Sequence, residues 1–311
     1  MNFDNNNNEL FFEPKVNQYG SHMVMTNVNK STKTKYLNID TRFRDEYNYN
    51  DQSYFNVTTP DKYKYNITIP EIVTNIKTIS VKCIELPMTF FNVSSNLENN
   101  YFSVTKGTTK TSIVIPDGNY NSLSSVIAGI NSVLGSSYGG DLSFNIDTNG
   151  KYNLKSISNA YTVDFSSSKD KYNFKSSLGW LIGFRSPTYT LAPGQSITAE
   201  CSNQISIPSP RYLYLAIDEF NKGVQTSFIT PVSNAFLNKN VIARIALNTA
   251  THGYGSILPA NFFNGLLVSD VRSYNGKVNL QKLNIQLLNE SGMPVDLNGQ
   301  DFSFCLEVTC E

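Results

Sequence analysis

The chain has 311 residues, and its 25 lysines and arginines balance 25 aspartates and glutamates, so the formal net charge is zero. Only 16% of residues are charged, against about 25% in an average soluble protein, while 40% are hydrophobic. This composition supports a sizeable core and argues against the broad basic surface that binds nucleic acid or anionic membranes. It also provides little charge repulsion between copies, which suits a protein that packs against neighbours.

Residues 1–35 are predicted to form an extended or disordered N-terminal arm. The opening letters MNFDNNNNELFFEPK are polar and repetitive, and they contain neither the basic region nor the apolar stretch of a secretory signal. No apolar run in the chain approaches the roughly 18 residues that a membrane span requires. Phe11 and Phe12 are candidate anchors for a protein partner, although local hydrophobic collapse explains the pair equally well.

The stretch YLNIDTRFRDEY, which begins at Tyr36, combines alternating apolar residues with a run of charges. Asp40, Arg42 and Arg44 stand at alternate positions, so a strand would place all three side chains on one face. A carboxylate between two guanidinium groups is suited to ion pairing, which indicates a strand edge or loop rather than a catalytic site. These three residues are therefore predicted to contact a partner.

Two further strand features precede residue 116. Alternation predicts a strand over 72–87, which stops at Pro87. A hairpin is predicted on either side of KGTTK, where Gly107 supplies the turn. Both features are assigned to a sandwich that begins at residue 36.

Residues 116–200 are predicted to form a small α+β module. Helical spacing of apolar residues predicts a helix over 122–134, with Asn121 or Ser122 as its N-cap and Gly135 at its end. A hairpin in LSFNIDTNGKYNLKS and a third strand in YTVDFS then make a small sheet. The glycine-containing stretch SLGWLIGF predicts a short helix or tight turn rather than a strand.

Strands resume after the module in five segments: RYLYLAIDEF, VIARIALN, GLLVSDVRSYNG, KVNLQKLNIQLLNESG and QDFSFCLEVTC. The last strand should pair deep in a sheet, because its apolar residues alternate and point one way, namely Phe302, Phe304, Leu306 and Val308. The fold is therefore predicted to be mainly β. Residues 36–115 and 201–311 should form a jelly-roll-like antiparallel β-sandwich, with the 116–200 module inserted, and its first and last strands should meet.

The sequence shows no motif typical of a catalytic, cofactor-binding or metal-binding site, so no enzymatic activity is predicted. Of the two histidines, only His252 stands in a glycine-flanked loop, and we interpret that loop as surface. Asp218 and Glu219 are adjacent, so a strand would point them to opposite faces and prevent them from acting as a glycosidase pair.

The four cysteines are predicted to be reduced thiols, mostly buried, in a chain made in the cytosol. They are scattered along the sequence and lack the spacing of zinc ligands, at positions Cys83, Cys201, Cys305 and Cys310.

Several blocks resemble capsid proteins of the nucleocytoplasmic large DNA viruses, the mimivirus and phycodnavirus group. The segment YLNIDTRFRDEY and the later IKTISVKCIELPMTFFNVSSNLENNYFSV are similar to the opening of those proteins. Further blocks match in the same order, namely IPDGNYNSLSSVIAGIN, LGWLIGFR, RYLYLAIDEF and YNGKVNLQKLNIQLLNESGMPVDLNGQDFSFCLEV. The resemblance extends from Tyr36 to Val308 and leaves the N-terminal arm outside.

This resemblance implies a non-enzymatic minor capsid protein with a jelly-roll-like core, made in host cytoplasm and resident in the virion. It implies major capsid protein and other minor capsid proteins as partners. It also implies a homo-oligomer, for which a penton with five copies is one form. Neither nucleic acid nor a membrane span is expected.

A second interpretation remains open from the sequence. Eighteen tyrosines and nineteen phenylalanines, together with abundant asparagine, suit carbohydrate contact as well as protein contact. The alternative function is therefore a glycan- or receptor-binding head of a virion vertex or fibre.

Overall fold

The computed structural model describes residues 31–47, 63–166, 174–201, 210–220 and 240–311. The predicted arm, with Phe11 and Phe12, lies outside the described residues except for its last five positions.

The described chain is mainly β and contains two α-helices, α1 (Leu123–Tyr138) and α2 (Leu178–Leu181). The strands before α2 are β1 (Lys33–Asp40), β2 (Tyr65–Pro87), β3 (Tyr101–Lys106), β4 (Thr109–Val114), β5 (Leu142–Ile146), β6 (Tyr152–Ser156) and β7 (Tyr161–Asp164). The strands after α2 are β8 (Thr188–Leu191), β9 (Ser196–Thr198), β10 (Tyr212–Asp218), β11 (Val241–Ala246), β12 (Ile257–Asn261), β13 (Leu267–Ser269), β14 (Arg272–Leu288) and β15 (Ser303–Cys310).

The largest sheet is antiparallel and brings together strands from both ends of the chain. Its order is β1-β15-β2-β14-β10-β11-β13, and β12 pairs with β2 beside this path. The first and last strands pair along their whole length, from Lys33 opposite Cys310 to Asp40 opposite Ser303. The expectation that the distant ends of the sandwich meet is confirmed.

Strand β2 curls this sheet because it changes partners along its 23 residues. Residues 65–79 pair with β14, residues 76–85 with β15, and residues 83–87 with β12. Asn75 takes a positive φ of 58° beside the register shifts, a conformation that asparagine tolerates better than most residues. Such a bulge increases the local twist and bends the strand.

A single hydroxyl helps to close the curled sheet on itself. Ser269 Oγ, at the end of β13, accepts the backbone N–H of Val81 at 2.9 Å and donates to the carbonyl of Ile242 at 3.2 Å. The far edge strand is thereby connected back to β2. The sheet encloses one hydrophobic core, and this arrangement confirms the predicted mainly β fold with a jelly-roll-like antiparallel sandwich.

The inward face of β15 matches its sequence pattern. The four residues predicted to point one way are each at most 2% exposed, namely Phe302, Phe304, Leu306 and Val308. Burying a side chain of this size contributes roughly 1.5–3 kcal/mol relative to leaving it in water. The strand lies between β1 and β2, which confirms that it pairs inside a sheet.

A second hydrophobic core is formed by residues between Val93 and Ala199. Helix α1 packs there with a four-stranded sheet, β4-β3-β7-β8, and a three-stranded sheet, β5-β6-β9. Ser122 caps the helix by accepting the N–H of Ser125 at 3.1 Å. The predicted helix end at Gly135 is wrong, because the left-handed C-cap is Gly139, with φ of 60°.

Two strand assignments made from the sequence require correction. The β3–β4 hairpin, assigned to the sandwich, pairs through β3 with β7, and its Phe102 and Val104 belong to the second core. Strand β7 joins that sheet, while β9 rather than β7 completes the small sheet of β5 and β6. Alternation shows which face of a strand is buried, but it does not identify a partner that is distant in sequence.

Strand β12 was not predicted. It contains Pro259 and pairs with β2 alone, at the side position where proline is tolerated in a sheet. No helix in the described part of the chain has both the length and the apolarity needed to cross a membrane.

Candidate interaction surface

Asp40 and Arg42 meet as predicted, but within a turn rather than on a strand. Strand β1 ends at Asp40, and residues 41–43 form a 3₁₀ turn that Asp40 caps by accepting the N–H of Arg42 at 2.9 Å. The Arg42 guanidinium bonds the same carboxylate through Nη2 at 2.5 Å. These hydrogen bonds hold the pKa of Asp40 below its usual value, although burial opposes them.

Arg44 points away from this pair, which corrects the prediction of one shared face. Its side chain is buried, and its guanidinium carbon lies 5.2 Å from the centroid of the Tyr65 ring. Burial raises the pKa of Tyr65 to about 12, and the Arg44 charge opposes that rise. A 3₁₀ turn repeats every three residues rather than every two, so alternate positions diverge.

The residues around this turn fix it to the sandwich. Thr41 is fully buried, and its Oγ1 donates to Asp301 at 2.8 Å and accepts the N–H of Phe302 at 2.9 Å. Asp45 accepts the N–H of Thr68 at 2.8 Å and its hydroxyl at 2.7 Å. The segment therefore anchors β1 and covers part of β2, and it leaves Arg42 and the 67% exposed Phe43 at the surface.

A more exposed apolar feature lies between β12 and β13. Phe262 is 76% exposed and Phe263 is 96% exposed, with their ring centroids 5.9 Å apart. Sequence reasoning missed these two residues. The signal was available in NFFNG, since adjacent aromatic side chains in a turn of polar and glycine residues cannot both face a core.

Asparagine side chains hold these rings on a defined backbone. Asn261 and Asn264 each accept the other's backbone N–H at 3.0 Å through their Oδ1 atoms. Asn264 Nδ2 also donates to the carbonyl of Pro259 at 2.5 Å, and Gly265 takes a positive φ of 72°. We call residues 261–265 the aromatic turn. Because the loop that carries the two exposed rings is already ordered, less conformational entropy is lost when the rings bind a partner.

The chain on either side of the aromatic turn is also apolar and nearly uncharged. Ile257, Val268 and Val271 are each more than half exposed. Asp270 is the single charged residue between positions 257 and 271. Aromatic and aliphatic side chains with little charge are typical of the centre of a protein–protein interface.

A buried ionic network lies within the sandwich. Glu219 Oε2 is 2.6 Å from Arg272 Nη1, and Glu219 Oε1 accepts the Tyr274 hydroxyl at 2.5 Å. Arg272 also donates to the carbonyls of Ile217 and Asn240. Burial, and next the Glu219 charge, raise the pKa of Tyr274. With these partners, the network is suited to a structural role.

The remaining candidates for chemistry are Asp218, Glu219 and His252. Glu219 is buried while Asp218 is not, in agreement with the prediction of opposite faces. His252 Nδ1 lies 2.8 Å from the hydroxyl of its neighbour Thr251. Among the described residues, no group of three or more histidine, cysteine and carboxylate side chains could hold a metal ion.

No protein-family model and no curated protein matches the chain. It is similar to the mavirus penton protein at 7% identity and a TM-score of 0.39, over 89% of this chain and 99% of that one. It is also similar to a chain of the Sputnik virophage structure at 12% identity and a TM-score of 0.38, over 89% and 98% of the two chains. TM-scores below 0.5 do not establish a shared fold, and these likenesses carry no argument about function.

Proposed function

We propose that the chain is a structural, non-enzymatic component of the capsid of a large icosahedral DNA virus, as a minor capsid protein or as the vertex penton. The ordered blocks from Tyr36 to Val308 that resemble capsid proteins of nucleocytoplasmic large DNA viruses support this function. The curled antiparallel sandwich is also the architecture that this resemblance implies. On this proposal, the protein is made in host cytoplasm and resides in the virion.

The observation that carries the proposal is the aromatic turn. Phe262 and Phe263 expose their rings to water at a fixed position. Apolar surface is more stable when it is removed from water, so burial of these rings against a partner would favour the bound protein over the free one. Burying an exposed phenylalanine side chain contributes roughly 1.5–3 kcal/mol per ring before the costs of association. A preformed apolar contact of this kind is suited to the centre of an interface between neighbouring subunits of a shell.

The partner that fits this surface is an apolar, uncharged pocket on the major capsid protein or on another minor capsid protein. A second copy of this chain is the corresponding partner in a penton. Because one charged residue occurs across 257–271, the contact gains little from ion pairs and loses little when salt rises. The exposed pair Arg42 and Phe43 is a second candidate contact, together with the predicted anchors Phe11 and Phe12.

The direct test is co-assembly of the purified full chain with the major capsid protein of the same virus, measured by light scattering and sedimentation. The double variant Phe262→Ser, Phe263→Ser should bind at least tenfold more weakly than the natural protein. Ile157→Ser is the matched control, since Ile157 is a 57% exposed apolar residue of the other core region. All variants should keep the thermal midpoint of the parent.

Equal binding by the double variant and the parent would exclude the aromatic turn as the contact. A parent that binds no capsid protein but binds glycans, and loses that binding on exposed Tyr→Ala changes, would support the receptor-binding alternative instead. Cryo-electron microscopy of the virion decides the position of the protein. Five copies around a vertex identify a penton, and density beneath the capsomers identifies a cement protein.

A further inference from the structure

Two cysteines that are distant in sequence lie directly opposite each other in the sandwich. In the antiparallel pairing of β15 with β2, Cys305 is the partner of Cys83. Directly opposed residues of an antiparallel pair have Cα atoms about 4.5 or 5.5 Å apart, depending on their hydrogen bonding. A disulfide spans Cα separations of roughly 4.4–6.8 Å, so either arrangement falls within its reach.

The two thiols also lie on the same face of the sheet. Cys83 is exposed and Cys305 is half-buried, whereas their following neighbours Ile84 and Leu306 are fully buried and point into the core. Successive residues of a strand alternate between faces, so both cysteine side chains point outward. This differs from the expectation that the cysteines would be mostly buried, since Cys310 alone of the four is buried.

Neighbouring side chains on this outer face already bridge the same two strands. The Ser303 hydroxyl donates to Glu85 Oε2 at 2.6 Å on one side of the cysteines. Lys82 Nζ lies 2.8 Å from Glu307 Oε1 on the other side. The cysteine pair therefore stands between two contacts that connect β2 and β15, with a register shift of the pairing between Cys305 and Leu306. Burial raises the pKa of the Cys305 thiol, and the nearby Cys83 raises it further.

We propose that Cys83 and Cys305 form a reversible cross-strand disulfide when the reduced protein meets a low-molecular-weight disulfide such as oxidised glutathione. The exposed Cys83 thiolate attacks one glutathione sulfur, which forms a mixed disulfide and releases one glutathione thiolate. Cys305 then attacks the Cys83 sulfur and expels the second glutathione. Two electrons pass from the cysteines to glutathione, and the two cysteine protons end on the released thiols.

The disulfide would connect strands that the chain separates by 222 positions, from 83 to 305. A cross-link of such a long loop restricts the unfolded chain strongly. The disulfide would join β15 covalently to β2. Because β1 pairs with β15, it would also stabilise the position of β1. In a reducing compartment such as the cytosol the two thiols would stay reduced, and in an oxidising one the bond would form. The proposal does not depend on the function proposed above.

The test treats the folded, reduced full chain with oxidised glutathione and follows free thiols and non-reduced peptide masses. The parent should fall from four free thiols to two and give one linked peptide pair that contains Cys83 and Cys305. Its thermal midpoint should rise on oxidation and return on addition of dithiothreitol. Cys201→Ser is the matched control and should show the same linked peptide and the same rise.

The variants Cys83→Ser and Cys305→Ser should lack both the linked peptide and the oxidation-dependent rise in midpoint. Three results overturn the proposal in the parent protein itself, without reference to any variant. They are a stable glutathione adduct on Cys83 with Cys305 still free, a disulfide-linked dimer through Cys83, and a linked peptide that involves Cys201 or Cys310.

Discussion

At the scale of single residues, the structure separates charges that the sequence presents as one run. Asp40 and Arg42 pair at the surface while Arg44 turns inward onto Tyr65. A few polar side chains instead stabilise the interior, where an unpaired charge would be costly. The buried Glu219 and the partly exposed Asp141 are two carboxylates whose hydrogen-bond partners allow direct tests.

Glu219→Gln should destabilise the protein by about 3 kcal/mol, because it leaves the buried Arg272 cation without its carboxylate. Urea unfolding at neutral pH measures this free energy. Asp218→Asn is the control, since Asp218 stands next in sequence and, among the described residues, accepts the local N–H of Phe220 at 2.8 Å. A loss for Asp218→Asn as large as that for Glu219→Gln would contradict the structural role of the network.

Asp141 should make part of the stability depend on pH in the acid range. Hydrogen bonds from Asn159 and Tyr161 lower the pKa of Asp141 to about 2 in the folded protein, against about 3.9 in an unfolded chain. Since the folded pKa is the lower one, the stabilisation is complete above the unfolded value and is lost as pH falls from about 4 to 2.

The corresponding measurement compares Asp141→Asn with the parent by chemical unfolding between pH 6 and pH 2. The variant should be less stable at pH 6, and the gap should shrink as the pH approaches 2. A gap that stays constant over this range would show that the Asp141 charge contributes nothing to folding.

At the scale of elements, turn and cap residues decide where strands and helices end. Ser122 starts α1 as its side chain predicts, and Gly107 makes the hairpin turn with a φ of 58°. The end of α1 differs from prediction because three glycines follow its apolar stripe, Gly135, Gly139 and Gly140, and local sequence does not select among them. The choice of Gly139 places the left-handed residue four positions later.

Gly135 and Gly139 should respond in opposite directions to substitution by alanine. Gly135 lies within the helix and is exposed, with open space around the position of a Cβ, so Gly135→Ala should stabilise by about 0.5–1 kcal/mol. Gly139 has a φ of +60°, so Gly139→Ala should destabilise by about 1 kcal/mol. Equilibrium unfolding of both variants checks the sign, and a stabilising Gly139→Ala would refute the assigned C-cap.

At the scale of the whole molecule, the two largest hydrophobic cores among the described residues are built from an interrupted sequence. The sandwich core draws on residues from 39 to 90 and from 213 to 310, while the second core uses residues 93 to 199. The sandwich is therefore complete only when the last strand reaches the first. This arrangement predicts that a destabilising substitution in one core mainly affects the strands and helices that pack around that core.

Leu306→Ala should cost about 2–5 kcal/mol, because Leu306 is fully buried in the sandwich core. Hydrogen exchange should accelerate in β1, β2 and β15, with little change in α1 and β5. Thr309→Ala, on the outward face of the same strand, is the control and should change stability by less than about 0.5 kcal/mol. Equal acceleration in α1 would show that the two cores unfold as one unit.

The sequence by itself determined the mainly β class, most strand positions, the start of α1 and the inward face of β15. These properties depend on alternation and capping, which act over a few neighbouring residues. Only the tertiary structure decided that β3 pairs with β7, that Arg44 turns inward, that Phe262 and Phe263 protrude, and that Cys305 meets Cys83. Each of these depends on which distant segments come together, and strand partners are selected by the packing of the whole core.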